Sequence, residues 1–385
     1  MDSHQQPVNF PLVSVIVPAY NAETFIERTL NSVLSQTYKN IEVLVVDDGS
    51  SDRTAEIVRA IAQQDSRVVL LHQQNSGVAA ARNLAIQKSQ GEFIAPIDAD
   101  DLWYPENIEK QVQCFLDSDP SVGLVYTWSV DIDEDDLLTG GFRAAKIEGE
   151  VYTTLVCHNF LGNASASMIR RTCLEKVAAY DCNMRAQNAQ GCEDWDLYLR
   201  IAEHYQFRVV PEFLIGYRKL SSSMSGDYSQ MARSHSLILQ TVRQKHPEFS
   251  GVIYRLSRSN LYMYFAHQSN RCGRHKTTIS WLYEALKADL VTPFLRYGLY
   301  RLLIQSSLGL IRHSTRNSTA TTQASIPEHQ CHQLHPKVML SINDIKNRKI
   351  MLILMIRIGD IFHNTVNIIA KFTTNNKQPD VKIIS

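Results

Sequence analysis

Three carboxylates stand together at Asp98, Asp100 and Asp101, closing the stretch Gly91-Glu92-Phe93-Ile94-Ala95-Pro96-Ile97-Asp98-Ala99-Asp100-Asp101. Side chains spaced Asp-x-Asp can converge on a hard divalent cation through oxygen ligands and leave positions open for phosphates. A second acidic group, Glu193-Asp194-Trp195-Asp196, offers a carboxylate that could take a proton from a hydroxyl. Three smaller fragments add to these. Pro18-Ala19-Tyr20 could present its tyrosine to a nucleobase, and Asp47-Asp48-Gly49-Ser50 could accept hydrogen bonds from a base or ribose. Arg82 brings a permanently charged fork suited to phosphate. Each fragment also has a plainer explanation: an acidic helix start before Pro105, first-turn acids beside a core tryptophan, capped turns, a surface ion pair.

Elements of definite type must position these residues. The apolar run ahead of Asp98 has strand length, and its charged end cannot stay buried unpaired. That C-terminal end is where open α/β sheets bind ligands. Val13 to Val17, Ile41 to Val46 and Val68 to Leu71 are further near-continuous apolar strands. Between them lie helical patterns. Asn21 is the expected N-cap of the first, with Phe25, Ile26, Leu30, Val33 and Leu34 on one face; Thr54 to Gln64 and Gly77 to Lys88 follow. This alternation predicts an α/β fold, a doubly wound, mostly parallel sheet flanked by helices. Later, Gly123 to Ser129, Ala164 to Ile169 and Phe207 to Tyr217 read as strands, Glu193 to about His204 as a helix, and Asp131 to Asp136 as a solvated loop.

In order, Pro-x-Tyr-Asn, Asp-Asp-Gly-Ser-x-Asp-x-Thr, Asn-x-Gly-x-x-x-Ala-Arg-Asn, Asp-x-Asp-Asp and Glu-Asp-Trp-Asp-Leu resemble the family 2 glycosyltransferases of the GT-A fold, over about Leu12 to Met224. The resemblance implies inverting transfer of a sugar from a nucleotide diphosphate sugar, most often a UDP-sugar. The acceptor would be a hydroxyl of a glycan or lipid-linked glycan, the setting surface polysaccharide assembly, and the cofactor Mn²⁺ or Mg²⁺. Carried over residue by residue, Pro18, Tyr20 and Asp47 would line the nucleoside pocket and Arg82 would help close it. Asp98 would lie near the ribose and the metal, Asp100 would ligate the metal, and Asp194 would be the catalytic base, kept ionised by its helix N-terminus. Tyr217-Arg218 with Ser221 to Ser225 looks like the family's closing segment, which would put Arg218 on the diphosphate. A dehydrogenase would need Gly-x-Gly-x-x-Gly after the first strand, where this chain reads Pro-Ala-Tyr-Asn-Ala-Glu. A nucleotidyltransferase and a non-catalytic nucleotide- or glycan-binding relative stand as alternatives; the intact Asp98, Asp100 and Asp194 favour turnover.

The formal net charge of zero over 385 residues conceals a split. Residues 1–230 hold 18 Lys and Arg against 32 Asp and Glu, while residues 231–385 hold 21 against 7. The expected organisation is a catalytic domain over 1–227, a basic helical extension over 228–313, and a linker with C-terminal tail over 314–385. The linker would run from Ser314 to Gln333. Such a basic part suits an anionic membrane surface; no nucleic acid partner is expected, because no reader motif accompanies the charge. Leu295 to Ile304 has the mixed apolar and basic spacing of an interfacial helix, and Ile350 to Ile361, broken by Arg357, is read as too short to span a bilayer. Seven scattered cysteines without a Cys-x-x-Cys pair argue against a disulfide framework or zinc site. With no hydrophobic core in Met1 to Phe10, the expected location is cytoplasmic, peripheral at the inner face of the membrane.

Overall fold

A computed structural model describes residues 10–220, 227–317 and 349–375. Its strands are β1 (Val13–Ala19), β2 (Ile41–Asp47), β3 (Val68–His72), β4 (Phe93–Pro96), β5 (Leu102–Trp103), β6 (Val122–Ile132), β7 (Leu138–Arg143), β8 (Ser167–Arg170) and β9 (Gln206–Arg218). In the first part of the chain the helices are α1 (Ile26–Leu34), α2 (Thr54–Gln64), α3 (Val78–Lys88), α4 (Asn107–Leu116), α5 (Tyr152–Cys157), α6 (Arg171–Val177), α7 (Asn183–Ala186) and α8 (Glu193–Ala202). Then come α9 (Tyr228–Lys245), α10 (Gly251–Arg271), α11 (His275–Ala288), α12 (Tyr297–Asn317) and α13 (Lys349–Asn375).

One nine-stranded sheet runs in the order β3-β2-β1-β4-β8-β6-β9-β5, with β7 beside β6. Its central strands are mostly apolar because both faces are covered, with Ser14 of β1 donating to Glu42 of β2 at 2.6 Å. Val13, Val15 and Val17 join Val43, Val45 and Phe93 in one core, while Ile16 joins Leu44, Val46 and Ile94 in the other. Successive side chains point to opposite faces, and each buried Val or Ile contributes roughly 1.5–3 kcal/mol. The strands β1 to β4 are mutually parallel. Strand β8 runs antiparallel to both β4 and β6, which restores the original direction in β6 and in its parallel partner β9. The C-terminal ends of β1, β2, β4, β6 and β9 therefore share one rim.

Several expectations change in detail. Asn21 does not cap α1: it sits at φ 48°, its side chain accepts from the Ser51 N–H at 2.9 Å, and the helix starts at Ile26. The acidic run is not all solvated. Asp131 lies in β6, buried, with Arg143 and Arg271 each 2.8 Å from its carboxylate, because β6 continues further than its apolar residues suggest. Ser314 to Asn317 belong to α12; the remainder of the expected linker, and Ser221 to Ser225, lie outside the described residues. Where a tail was expected, α13 forms, and its Leu352–Ala370 portion is long and apolar enough by length and composition to cross a membrane. The apolar run expected to end at Ile361 continues along the helix through Val366 and Ile369.

The C-terminal helices close a satellite core of Met263, Ala266, Leu282, Ala285, Leu299 and Leu302. They join the sheet domain through Trp195 of α8, whose ring lies 5.0 Å from that of His235 in α9. His235 in turn is 2.9 Å from the Ser257 hydroxyl of α10.

Candidate active site

Strand ends on the common rim deliver most of the expected residues. Parallel pairing sets Asp47 opposite Ala19 on one side and His72 on the other. One Asp47 oxygen accepts from the Ser50 N–H at 3.0 Å and the other lies 3.1 Å from His72 Nδ1. Gly49, at φ 77°, permits the turn that brings Ser50 back. The neighbouring Asp48 is engaged differently, accepting from Gln73 Nε2 at 2.7 Å and from the backbone N–H groups of Ser76 and Gly77 at 2.7 and 2.8 Å. That moulds the loop which leads, through Gly77 at φ 91°, into α3. At the end of β1, Pro18 is half-buried and Tyr20 is 54% exposed, an open ring at the mouth of the same rim.

Helix α3 carries Arg82 into the interior, only 3% exposed. Its guanidinium lies 2.5 Å from Asp98 Oδ1 and 3.5 Å from Asp194 Oδ1, and stacks 5.0 Å over the Tyr180 ring. One cation thus draws together the acid after β4 and the acid at the head of α8. Glu193 and Asp196, the other first-turn acids of α8, are engaged elsewhere, on the Gly191 N–H at 2.8 Å and on Arg200 at 2.8 Å. Trp195 is core, its indole N–H donating to the Leu155 carbonyl at 2.7 Å. Asp194 alone of this motif faces Arg82.

Burial dominates the electrostatics. It pushes the Asp194 carboxyl above the usual range, with Arg82 pulling the other way. Burial, then the nearby Asp98, raises Asp100 to about 6. Asp101, fully buried, is pushed up strongly by burial and by its two acidic neighbours. A cation beside Asp98 and Asp100 would relieve that repulsion, and their oxygen-only chemistry fits Mg²⁺ or Mn²⁺ with phosphate completing the shell. Among the described residues no group of three or more His, Cys, Asp or Glu side chains is placed to hold a metal ion.

Arg218 is a correction. Expected on the diphosphate, it is 1% exposed and its donors are committed within the protein. Its Nε donates to the Asp100 carbonyl at 2.6 Å, its other nitrogens reach the Asp133 carbonyl and the Asp136 carboxylate, and its backbone N–H donates to Asp101 at 2.8 Å. The guanidinium also stacks 4.6 Å over Phe25. The next residue, Lys219, went unnoticed in the sequence. Its buried ammonium has no hydrogen-bond partner among the described residues, and burial, then Arg143, lowers it to about 7. No local pattern marks it; the nearest signal was its place after a strand end. Asp101 was likewise missed as a linker, accepting from the Ser165 hydroxyl at 2.5 Å.

A family model described as glycosyl transferase family 2 matches residues 14–177. The chain is 29% identical over 212 residues to an uncharacterized glycosyltransferase of Methanocaldococcus jannaschii, covering 54% of this chain and 71% of that protein. It is 32% identical over 209 residues to the hyaluronan synthase of Pasteurella multocida, covering 54% of this chain and 20% of the synthase. Over 108 residues it is 42% identical to the putative teichuronic acid biosynthesis glycosyltransferase TuaG of Bacillus subtilis, covering 28% of this chain and 43% of TuaG. The matches thus span less than half the length of the last two relatives. Among solved structures, S. aureus TarS 1–349 in complex with UDP-GlcNAc is similar at a TM-score of 0.51 and 18% identity, covering 84% of this chain and 98% of that one. That likeness is one of fold.

Proposed function

We propose that the protein, whose residues 14–177 match the family model for glycosyl transferase family 2, transfers a sugar from a UDP-sugar to a hydroxyl of a glycan or lipid-linked glycan. Transfer inverts the anomeric carbon and uses Mn²⁺ or Mg²⁺ at Asp98 and Asp100. The relatives named for hyaluronan synthesis and teichuronic acid biosynthesis support a polysaccharide acceptor, and the UDP-GlcNAc bound to the similar fold supports a UDP-sugar donor.

The observation that carries this reading is the Arg82 bridge, which holds Asp98 and Asp194 against one guanidinium although 96 residues separate them in the chain. A donor anchored at Asp98 then has Asp194 beside it. Asp194 takes the proton of the acceptor hydroxyl as that oxygen attacks, and its raised basicity suits that role. Arg82 fixes the carboxylate's position. Tyr20 stacks on the base and Asp47 accepts from base or ribose. A bound cation would offset the charge that grows on the departing diphosphate, so no protein acid is required there. With a single displacement, base and leaving group lie on opposite faces of the sugar, which gives inversion.

Asp194→Asn tests the assignment. UDP affinity should stay within about twofold of the parent while turnover falls by roughly 10²–10⁴. Turnover at the parent rate would remove Asp194 as the base. Release of pyrophosphate in place of UDP would convert the reading into nucleotidyl transfer.

A further inference from the structure

Two C-terminal helices each have two apolar faces, and in each only one is used inside the protein. The inner face of α12 buries Leu299, Leu302 and Ser306 against α10 and α11. Its outer face presents Tyr297, Tyr300, Ile304 and Leu308, all exposed, at spacings of three and four residues that line one side of a helix. Leu290, Val291 and Phe294, just ahead of it, are exposed as well. The second helix, α13, repeats the arrangement. Val366 and Ala370 are buried, Leu352 and Ile356 pack on the sheet-domain core, and His363 Nδ1 lies 2.6 Å from the Thr154 hydroxyl of α5. Its other side exposes Leu354, Ile358, Ile361 and Ile368.

Each helix thus leaves a stripe of several apolar side chains uncovered, more than the singly scattered apolar residues of an ordinary soluble surface. The charge around it identifies the occupant. Residues 297–317 hold three arginines and no Asp or Glu, and residues 349–375 hold three Lys or Arg against one Asp. Both helices lie in the part of the chain that is 14 charges positive. Apolar stripes beside excess Lys and Arg are what an anionic lipid surface attracts, through acyl contact and headgroup charge together. The length and composition of α13 would allow it to cross a bilayer, but a span would have to give up the contacts the helix makes with the catalytic domain. Crossing would strip Val366, Ala370 and His363 from their contacts and carry Arg357 and Asp360 into hydrocarbon.

We propose that α12 and α13 form a membrane-docking surface, each lying in the plane of an anionic lipid interface with its outward apolar stripe among the acyl chains, while the inward stripe holds the catalytic domain. The surface is separate from Arg82, Asp98 and Asp194 and does not depend on the transfer chemistry.

The test uses the full chain and phosphatidylcholine vesicles, with or without about one third phosphatidylglycerol. Parent protein should co-sediment with the anionic vesicles and less so as salt rises. Two paired variants follow, Ile304→Ser with Leu308→Ser, and Leu354→Ser with Ile358→Ser. All four positions are exposed, so each variant should keep the parent's UDP affinity, which reports an intact fold. Each pair should weaken vesicle partitioning about tenfold or more. Three results would overturn the proposal: no binding of the parent to anionic vesicles, both paired variants binding like the parent, or variants that turn a dimer into monomers with vesicle binding unchanged. The last would reassign the stripes to a second copy of the chain. None of these touches the transferase reading, which Asp194→Asn tests by itself.

Discussion

Along the rim of the sheet, the β1-β2-β4 half and the β6-β9 half carry similar acids in different states. At the first half, Asp98 and Asp194 share the one guanidinium of Arg82, and Asp47 is held by the Ser50 N–H and His72 near the exposed Tyr20. At the second half, Asp101, Asp131 and Asp136 are tied down by Ser165, Arg143, Arg271 and Arg218. One half is arranged to receive charge and the other to neutralise its own. The difference teaches that an acidic strand end becomes a site or a brace according to the cation that reaches it.

The largest effect should come from breaking the brace. Arg218→Met leaves the carbonyls of Asp100 and Asp133 without their buried donor, while Asp136 keeps Arg28 at 3.0 Å, and should cost about 3 kcal/mol in denaturant unfolding. UDP affinity of the folded fraction should barely change; a large loss of affinity with unchanged stability would return Arg218 to the donor site. Lys219→Met comes next. Burial and Arg143 hold the Lys219 ammonium at about 7, below its value in the unfolded chain. Between about pH 7 and pH 10 the unfolded chain keeps a proton that the native state has released, so this group's contribution to stability rises with pH. The methionine variant should therefore melt several degrees above the parent near pH 6, an advantage that shrinks as pH rises and is gone only by about pH 10. An advantage independent of pH would show that Lys219 is not buried as a charge. The smallest change belongs to the open half. Tyr20→Ala should leave melting untouched and weaken UDP binding about fivefold, roughly 1 kcal/mol of stacking, measurable by titration calorimetry. Equal affinity would take Tyr20 out of the nucleoside pocket.

Much of the architecture was legible because its causes are local. A strand covered on both faces must be nearly continuously apolar, so β1, β2 and β4 could be read from Val13 to Val17, Ile41 to Val46 and Phe93 to Ile97, with Ser14 and Glu42 the exceptions. Thr54 to Gln64 appears as α2 with the bounds expected of it. Short β5 was missed because two residues, Leu102 and Trp103, leave no periodicity to detect. Helix α13 was underestimated for a different reason: polar Asp360, His363 and Asn364 interrupt the apolar run although the helix continues through them.

By itself the amino-acid order determined which residues end strands and which begin helices, since burial period and turn chemistry act over a few neighbours. It therefore placed Asp47, Asp98, Asp100 and Asp194 at the edges of elements. Only the tertiary structure decided which of those acids stay open and which are braced. That choice depends on Arg82 reaching 16 and 112 residues along the chain, and on Arg218 reaching back 82 to its partner Asp136. A guanidinium meets such distant partners only after the sheet has brought their strand ends to a common rim.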